Sequence, residues 1–128
     1  MPNILVVDDD PDYIEVTSAL LENQGYRVKS ANNSDEAIIA LREEKPDLVL
    51  LDIMMKDILD GLKVTYEMHD NNELYRIPII VISSIASTTY AEYFPTDEYL
   101  HIDDWVSKPI NPDVLLEKVI FYLQRAKH

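Results

Sequence analysis

The hydrophobic positions of this chain fall into short blocks, and four of the blocks share a form. Ile4-Leu5-Val6-Val7, Leu48-Val49-Leu50-Leu51, Ile79-Ile80-Val81-Ile82 and Trp105-Val106-Ser107 are too brief for helices and lack the alternation of a half-solvated strand. All four are strand-like, and the central run, with the equally apolar first one, predicts a strand buried on both faces. Tyr26 to Ala31 is different: Arg27 and Lys29 alternate with Tyr26 and Val28, which predicts a short strand at a sheet edge.

Helical spacing fills the intervals. Tyr13, Ile14, Thr17, Leu20, Leu21 and Gln24 form a stripe that follows the acidic turn Asp8-Asp9-Asp10-Pro11-Asp12 and stops at Gly25. Asn33 or Ser34 caps a second helix, with Asp35 and Glu36 in its first turn, Ala37, Ile38 and Leu41 inward, and Arg42 and Lys45 toward its end. Lys56 to Gly61 reads as a loop opening a third helix that turns Leu62, Tyr66 and Met68 inward. Ala86 to Phe94 reads as a short helix that Pro95 interrupts. Pro109-Ile110-Asn111-Pro112 caps a closing helix with Val114, Leu115, Val119, Tyr122 and Leu123 along its buried face and Arg125 and Lys127 at its end. Five strands alternating with five helices predict one α/β domain over residues 1–128, a parallel sheet covered on both faces.

The strand ends carry the chemistry. Asp8-Asp9-Asp10 closes the first run, Asp52 the central one, Ser83-Ser84 the next and Lys108 the last. If the strands are parallel, these groups meet at one edge, where ligands bind in open α/β folds. Clustered carboxylates raise one another's pKa unless a cation sits among them. Oxygen donors without His or Cys point to a hard ion, and a partly hydrated Mg²⁺ on few carboxylates usually accompanies a phosphate. Lys108 and Ser83 suit the oxygens of a phosphoryl group in transfer, and Asp52 is then the nucleophile that carries an acyl phosphate. Plainer roles exist for each residue. Capping is favoured for Asp10 and Asp12, and metal binding for Asp8 and Asp9. Asp52 alone suits a loop or cap, Lys108 an exposed lysine, Ser83 a strand-end hydroxyl and Trp105 a core anchor. Their joint occurrence at four strand ends favours the chemistry.

Composition narrows the field. The 128 residues carry a net charge of −13, from 24 acids and 11 bases, and the bases are scattered. Nucleic acid would be repelled. Cysteine is absent, which excludes disulfides and thiolate metal sites and fits a reducing compartment. Met1-Pro2-Asn3 offers no basic leader and no apolar run reaches the ~18 residues of a membrane span, so a cytoplasmic protein is expected.

Val6-Val7-Asp8-Asp9, Leu51-Asp52-Ile53-Met54-Met55, Asp60-Gly61, Pro78-Ile79-Ile80-Val81-Ile82-Ser83 and Asp103-Asp104-Trp105-Val106-Ser107-Lys108-Pro109 stand in one order. In that order and spacing, the chain resembles a response-regulator receiver domain of two-component signalling over its whole length. The resemblance implies the flavodoxin-like strand order 2-1-3-4-5. It implies that Asp52 takes a phosphoryl group from a histidine kinase or histidine phosphotransfer protein, with Mg²⁺ bound by Asp8, Asp9, Asp52 and the backbone carbonyl of Met54. Ser83 and Lys108 match the residues that contact the phosphoryl group, and Trp105 matches the switch aromatic. Phosphorylation then draws the Ser83 hydroxyl inward and lets the Trp105 ring turn in from solvent. A downstream protein would dock on the face made by the fourth helix, fifth strand and fifth helix, and a homodimer stays open. The domain is expected to be a regulatory phosphoacceptor rather than an enzyme, with weak self-catalysed phosphorylation and dephosphorylation.

The pattern also departs from the family. Lys56 stands where proline is common, the loop from Lys56 to Asp60 is one residue longer, and the segment between Ser83 and Lys108 is longer, with Pro95 and with His101 in place of a helix-ending glycine. By resemblance, Met54 and Ile85 flank the path of the water that hydrolyses the acyl phosphate. Neither orients a water by hydrogen bonding, so a long-lived phosphoryl state is expected.

A single-domain switch signalling by contact is the leading expectation, and a receiver cut from a longer regulator or hybrid kinase the runner-up. A phosphatase or phosphotransferase using an aspartyl phosphate tends to place a second acid two residues after the nucleophile, where this chain has Met54. A non-phosphorylatable module has no need of the full acceptor set. A flavin carrier wants a glycine- or hydroxyl-rich loop where Asp8-Asp9-Asp10 would repel its phosphate.

Overall fold

In the computed structural model the described residues are 2–52, 58–83 and 103–126, with the side chains of 58–62, 83 and 126 outside the description. The elements are β1 (Asn3–Val7), α1 (Pro11–Glu22), β2 (Arg27–Ala31), α2 (Ser34–Glu43), β3 (Leu48–Asp52), α3 (Ile58–Asp70), β4 (Ile79–Ser83), β5 (Asp104–Ser107) and a closing helix, α4 (Pro112–Ala126). The helix expected over Ala86 to Phe94, with Pro95 and His101, lies outside the described residues.

All four strand pairings are parallel, and the order is β2-β1-β3-β4-β5, the one the resemblance implies. β2, with its alternating charges, is an edge. Side chains of β1, β3, β4 and β5 divide strictly by parity. Leu5, Val7, Val49, Leu51, Ile79 and Val81 join Ala37, Leu41, Val64 and Met68 of α2 and α3 on one face. Ile4, Val6, Leu48, Leu50, Ile80, Ile82 and Val106 join Leu21, Leu115, Val119 and Leu123 of α1 and α4 on the other. This explains the unbroken apolar runs: each successive residue enters a different core.

Side chains pin the strand starts. The Asn3 N–H donates to Asp47 Oδ2 at 2.7 Å while the Asp47 N–H donates to the Asn3 carbonyl at 2.8 Å. At the other side of the sheet the Ile79 N–H donates to Asp103 Oδ2 and the Asp103 N–H to the Ile79 carbonyl, both at 2.8 Å. Each carboxylate extends the ladder beyond its strand's first residue.

Three expectations are corrected. α3 starts at Ile58, so Gly61 is inside a helix rather than closing a loop. Tyr66 is 40% exposed, because Val64 and Met68 set the inward face of α3. Val114 is likewise 40% exposed, since the buried stripe of α4 runs through Leu115, Val119 and Leu123.

Candidate functional site

The registers bring three charged residues to one place. Val7 pairs with Leu51, so Asp8 follows beside Asp52 on the adjacent strand. The Asp8 N–H donates to the Ala31 carbonyl at 3.1 Å and prolongs β1 by one residue. Val106 pairs with Ile82, which itself neighbours Asp52's strand, and Lys108 comes two residues later. Asp8, Asp52 and Lys108 therefore share the parity of the α1 and α4 face.

The Lys108 ammonium lies 3.3 Å from Asp8 Oδ2 and 3.3 Å from Asp52 Oδ2. All three side chains are largely buried, at 14%, 7% and 4% exposure. The other Asp8 oxygen accepts the Asp10 N–H at 2.9 Å. Burial pushes the Asp8 carboxyl up to about 6; the Asp10 N–H opposes this, the adjacent Asp52 adds to it, and Lys108 pulls against it. Burial works against the Lys108 ammonium, but Asp52 and Asp8 outweigh it and hold its pKa above the usual lysine value.

Asp9 is exposed beside this pair, and one oxygen from each of Asp8, Asp9 and Asp52 falls within 4.8 Å of the others. An all-oxygen donor set, with one acid reluctant to ionise despite an adjacent lysine, fits a hard divalent cation. Asp10 does not join: its Oδ1 accepts the Asp12 N–H at 2.9 Å and caps α1, as expected. Asp12 is not a cap. It sits in the first turn of α1, where its charge meets the positive end of the helix.

Three residues enter that the sequence reading left out of the site: Tyr13, Lys118 and Tyr122. The Tyr13 ring, read there as part of an apolar stripe, lies 4.1 Å from the Lys108 ammonium. Beside β5, Lys118 of α4 donates to Asp104 Oδ1 at 2.7 Å, and the Tyr122 hydroxyl donates to Asp104 Oδ2 at 3.1 Å and the Asp103 carbonyl at 2.9 Å. Burial raises Asp104, yet the bonds from Lys118, the Trp105 N–H and Tyr122 prevail and hold it below the ordinary carboxylate value.

Trp105 is half-buried and packs against the core shared with α2 and α3. Ser83 ends β4 opposite Ser107; its side chain is outside the described residues. Met54, Lys56 and Ile85 also lie outside them. Among the described residues no helix is long and apolar enough to cross a membrane.

Known proteins share this fold and resemble this sequence. Residues 4–120 match the response regulator receiver domain family. Protein PilH of Pseudomonas aeruginosa is 31% identical over 119 residues, covering 93% of this chain and 95% of that protein. A CheY-like response regulator receiver domain protein from Methanospirillum hungatei superposes with a TM-score of 0.85 at 28% identity, covering 99% of this chain and 97% of the other. The receiver domain of the sensor histidine kinase PA1611 from Pseudomonas aeruginosa, solved with a magnesium ion in its active site cleft, superposes with a TM-score of 0.84 at 25% identity, covering 96% and 98%. The chain spans about half the length of several other curated relatives, 48% in each of three. A parallel sheet whose registers assemble an acid and lysine edge, matched along nearly its whole length by proteins of one kind, belongs to the response regulator receiver domain family of two-component signalling.

Proposed function

We propose that Asp52 is the phosphoacceptor of this receiver domain and that Lys108 is the cation that meets the phosphoryl group there. The observation that carries the reading is the Lys108 ammonium, shared at 3.3 Å by Asp8 and Asp52 on the central strands. An Asp52 carboxylate oxygen attacks the phosphorus of a donor phosphohistidine. The P–N bond breaks, its electron pair leaves with the imidazole, and a mixed anhydride remains on Asp52. Lys108 then faces phosphoryl oxygens where it had faced a carboxylate. Asp8, Asp9 and Asp52, with the Met54 backbone carbonyl, would hold Mg²⁺, which supplies charge neutralisation between the acids and the phosphoryl oxygens.

In this reading Ser83 and Trp105 make up the switch. The hydroxyl turns toward the phosphoryl group and the ring moves further into the α2 and α3 core it already touches. The donor is a histidine kinase or a histidine phosphotransfer protein. The target is a protein that reads the β5 and α4 surface together with the segment before β5. The domain acts as a regulatory phosphoacceptor in the cytoplasm, with weak turnover of its own phosphoryl group.

The test is intact mass after incubation with acetyl phosphate and Mg²⁺, with Trp105 emission followed in parallel. A phosphoryl adduct and an emission change are expected in the parent, and neither in Asp52→Ala or in excess EDTA. An adduct that persists in Asp52→Ala overturns the assignment.

A further inference from the structure

Lys108 must hold one position through a cycle that neutralises or esterifies the acids it touches. Before phosphorylation its ammonium is drawn between two carboxylates, at 3.3 Å from each. Both distances exceed the ~2.7–2.9 Å of a well-formed bond between an ammonium and a carboxylate. Neither acid therefore fixes the lysine on its own. A divalent cation at the acids weakens their pull and repels the ammonium, and esterification of Asp52 removes one carboxylate altogether.

One contact of the ammonium carries no charge that the cycle alters. The Tyr13 ring centroid lies 4.1 Å from Lys108 Nζ, inside the ~6 Å range over which the negative face of an aromatic ring attracts a cation. The Lys108 side chain is only 14% exposed, so the attraction is little screened by water. The ring is itself held in place. Asp8 Oδ1 accepts the Asp10 N–H, Asp10 Oδ1 accepts the Asp12 N–H, and Tyr13 follows as the third residue of α1. The turn that ties Asp8 to the start of the helix thus also sets the distance from the ring to the lysine.

We propose that Tyr13 is a positioning residue for Lys108, its ring face holding the ammonium at the site while the surrounding acids are neutralised or esterified. The inference rests on the phosphoacceptor reading of Asp52. The ring touches no reacting atom, and the hydroxyl has no part in the effect. What matters is the electron density of the face.

The experiment measures phosphorylation by acetyl phosphate in saturating Mg²⁺ and, without any phosphodonor, the proton shifts of the Lys108 ε-methylene. Tyr13→Leu is expected to slow phosphorylation about three- to tenfold and to abolish the upfield ring-current shift of the ε-methylene. Tyr13→Phe should restore both. Pentafluorophenylalanine at position 13 keeps the ring's shape but reverses its face potential, and should phosphorylate as slowly as Tyr13→Leu. In a Lys108→Gln background, Tyr13→Leu should produce no further slowing. Equal rates for the phenylalanine and pentafluorophenylalanine proteins, or the same slowing with and without Lys108, would overturn the proposal in favour of simple packing. If the parent takes up no phosphoryl group, the Asp52 reading fails instead, and the ε-methylene shift alone decides whether the ring holds the lysine. The fluorinated ring also covers the case in which Tyr13→Leu fails to fold.

Discussion

Replacing Asp8 by Asn should stabilise the metal-free protein and abolish its Mg²⁺ binding. Asp8 is 5% exposed, and burial followed by the charge of Asp52 moves its carboxyl from 3.8 to about 6 despite the Asp10 N–H and Lys108. In neutral solution the group is ionised in both folded and unfolded chains, and the folded chain carries a penalty of about 3 kcal/mol. Asn retains the shape and the carbonyl that accepts the Asp10 N–H. Allowing for relaxation and water entry, a gain of about 1–3 kcal/mol is expected. The folded value lies above the unfolded one, so the folded chain binds the proton more tightly. The penalty is complete above about pH 6.5, shrinks to about a third near pH 4.5, and is gone once the unfolded carboxyl is protonated too. Urea unfolding in EDTA at about pH 7.5 and about pH 4.5 measures this directly. A gain of equal size at both pH values, or a variant less stable than the parent at the higher one, would refute the reasoning. Adding Mg²⁺ at a hundred times its Kd should raise parent stability by about 2.7 kcal/mol and leave the variant unchanged.

The remaining predictions concern the scaffold. Lys118→Met removes the ion pair to Asp104, whose two side chains are 29% and 27% exposed, and should cost about 0.5–1 kcal/mol at neutral pH. Because Asp104 is held below 3.8, that contribution is complete above the unfolded value and lost as pH falls through the folded one, so the urea midpoints of parent and variant should converge in acid. Leu50→Ala empties a site that is 1% exposed on the central strand and should cost about 2–5 kcal/mol in urea unfolding. Asn111→Ala frees the Asp113 and Val114 N–H groups that its Oδ1 accepts at 3.0 and 3.3 Å. A loss of about 1 kcal/mol is expected, with acetyl phosphate uptake unchanged.

Much of this could be read from the chain because β1, β3, β4 and β5 each end in a single kind of polar group. Asp8, Asp52 and Lys108 mark where the apolar runs stop, and parallel pairing does the rest. The runs themselves hide which core each residue enters, since both faces are apolar; only register reveals that Asp8, Asp52 and Lys108 share a side. Helix phase was harder. Tyr66 and Val114 are apolar residues on the solvent side, and an exposed apolar side chain is ordinary on a protein surface. Gly61 reads as a loop residue because glycine weakens helices, yet α3 runs through it. The cation–π contact of Tyr13 depends on how α1 lies over a strand end far away in sequence, and no local pattern encodes that.

The doubly apolar strands have a cost in specificity. Sliding β3 or β4 by one residue would exchange one greasy side chain for another, so the two cores offer little resistance to misalignment. Only the ends would suffer, with Asp52 delivered to the wrong layer. The reciprocal bonds of Asp47 with Asn3 and of Asp103 with Ile79 resist that slip from the opposite rim of the sheet. Fidelity at the reactive edge is therefore legislated a full strand length away, by carboxylates that never meet the phosphoryl group.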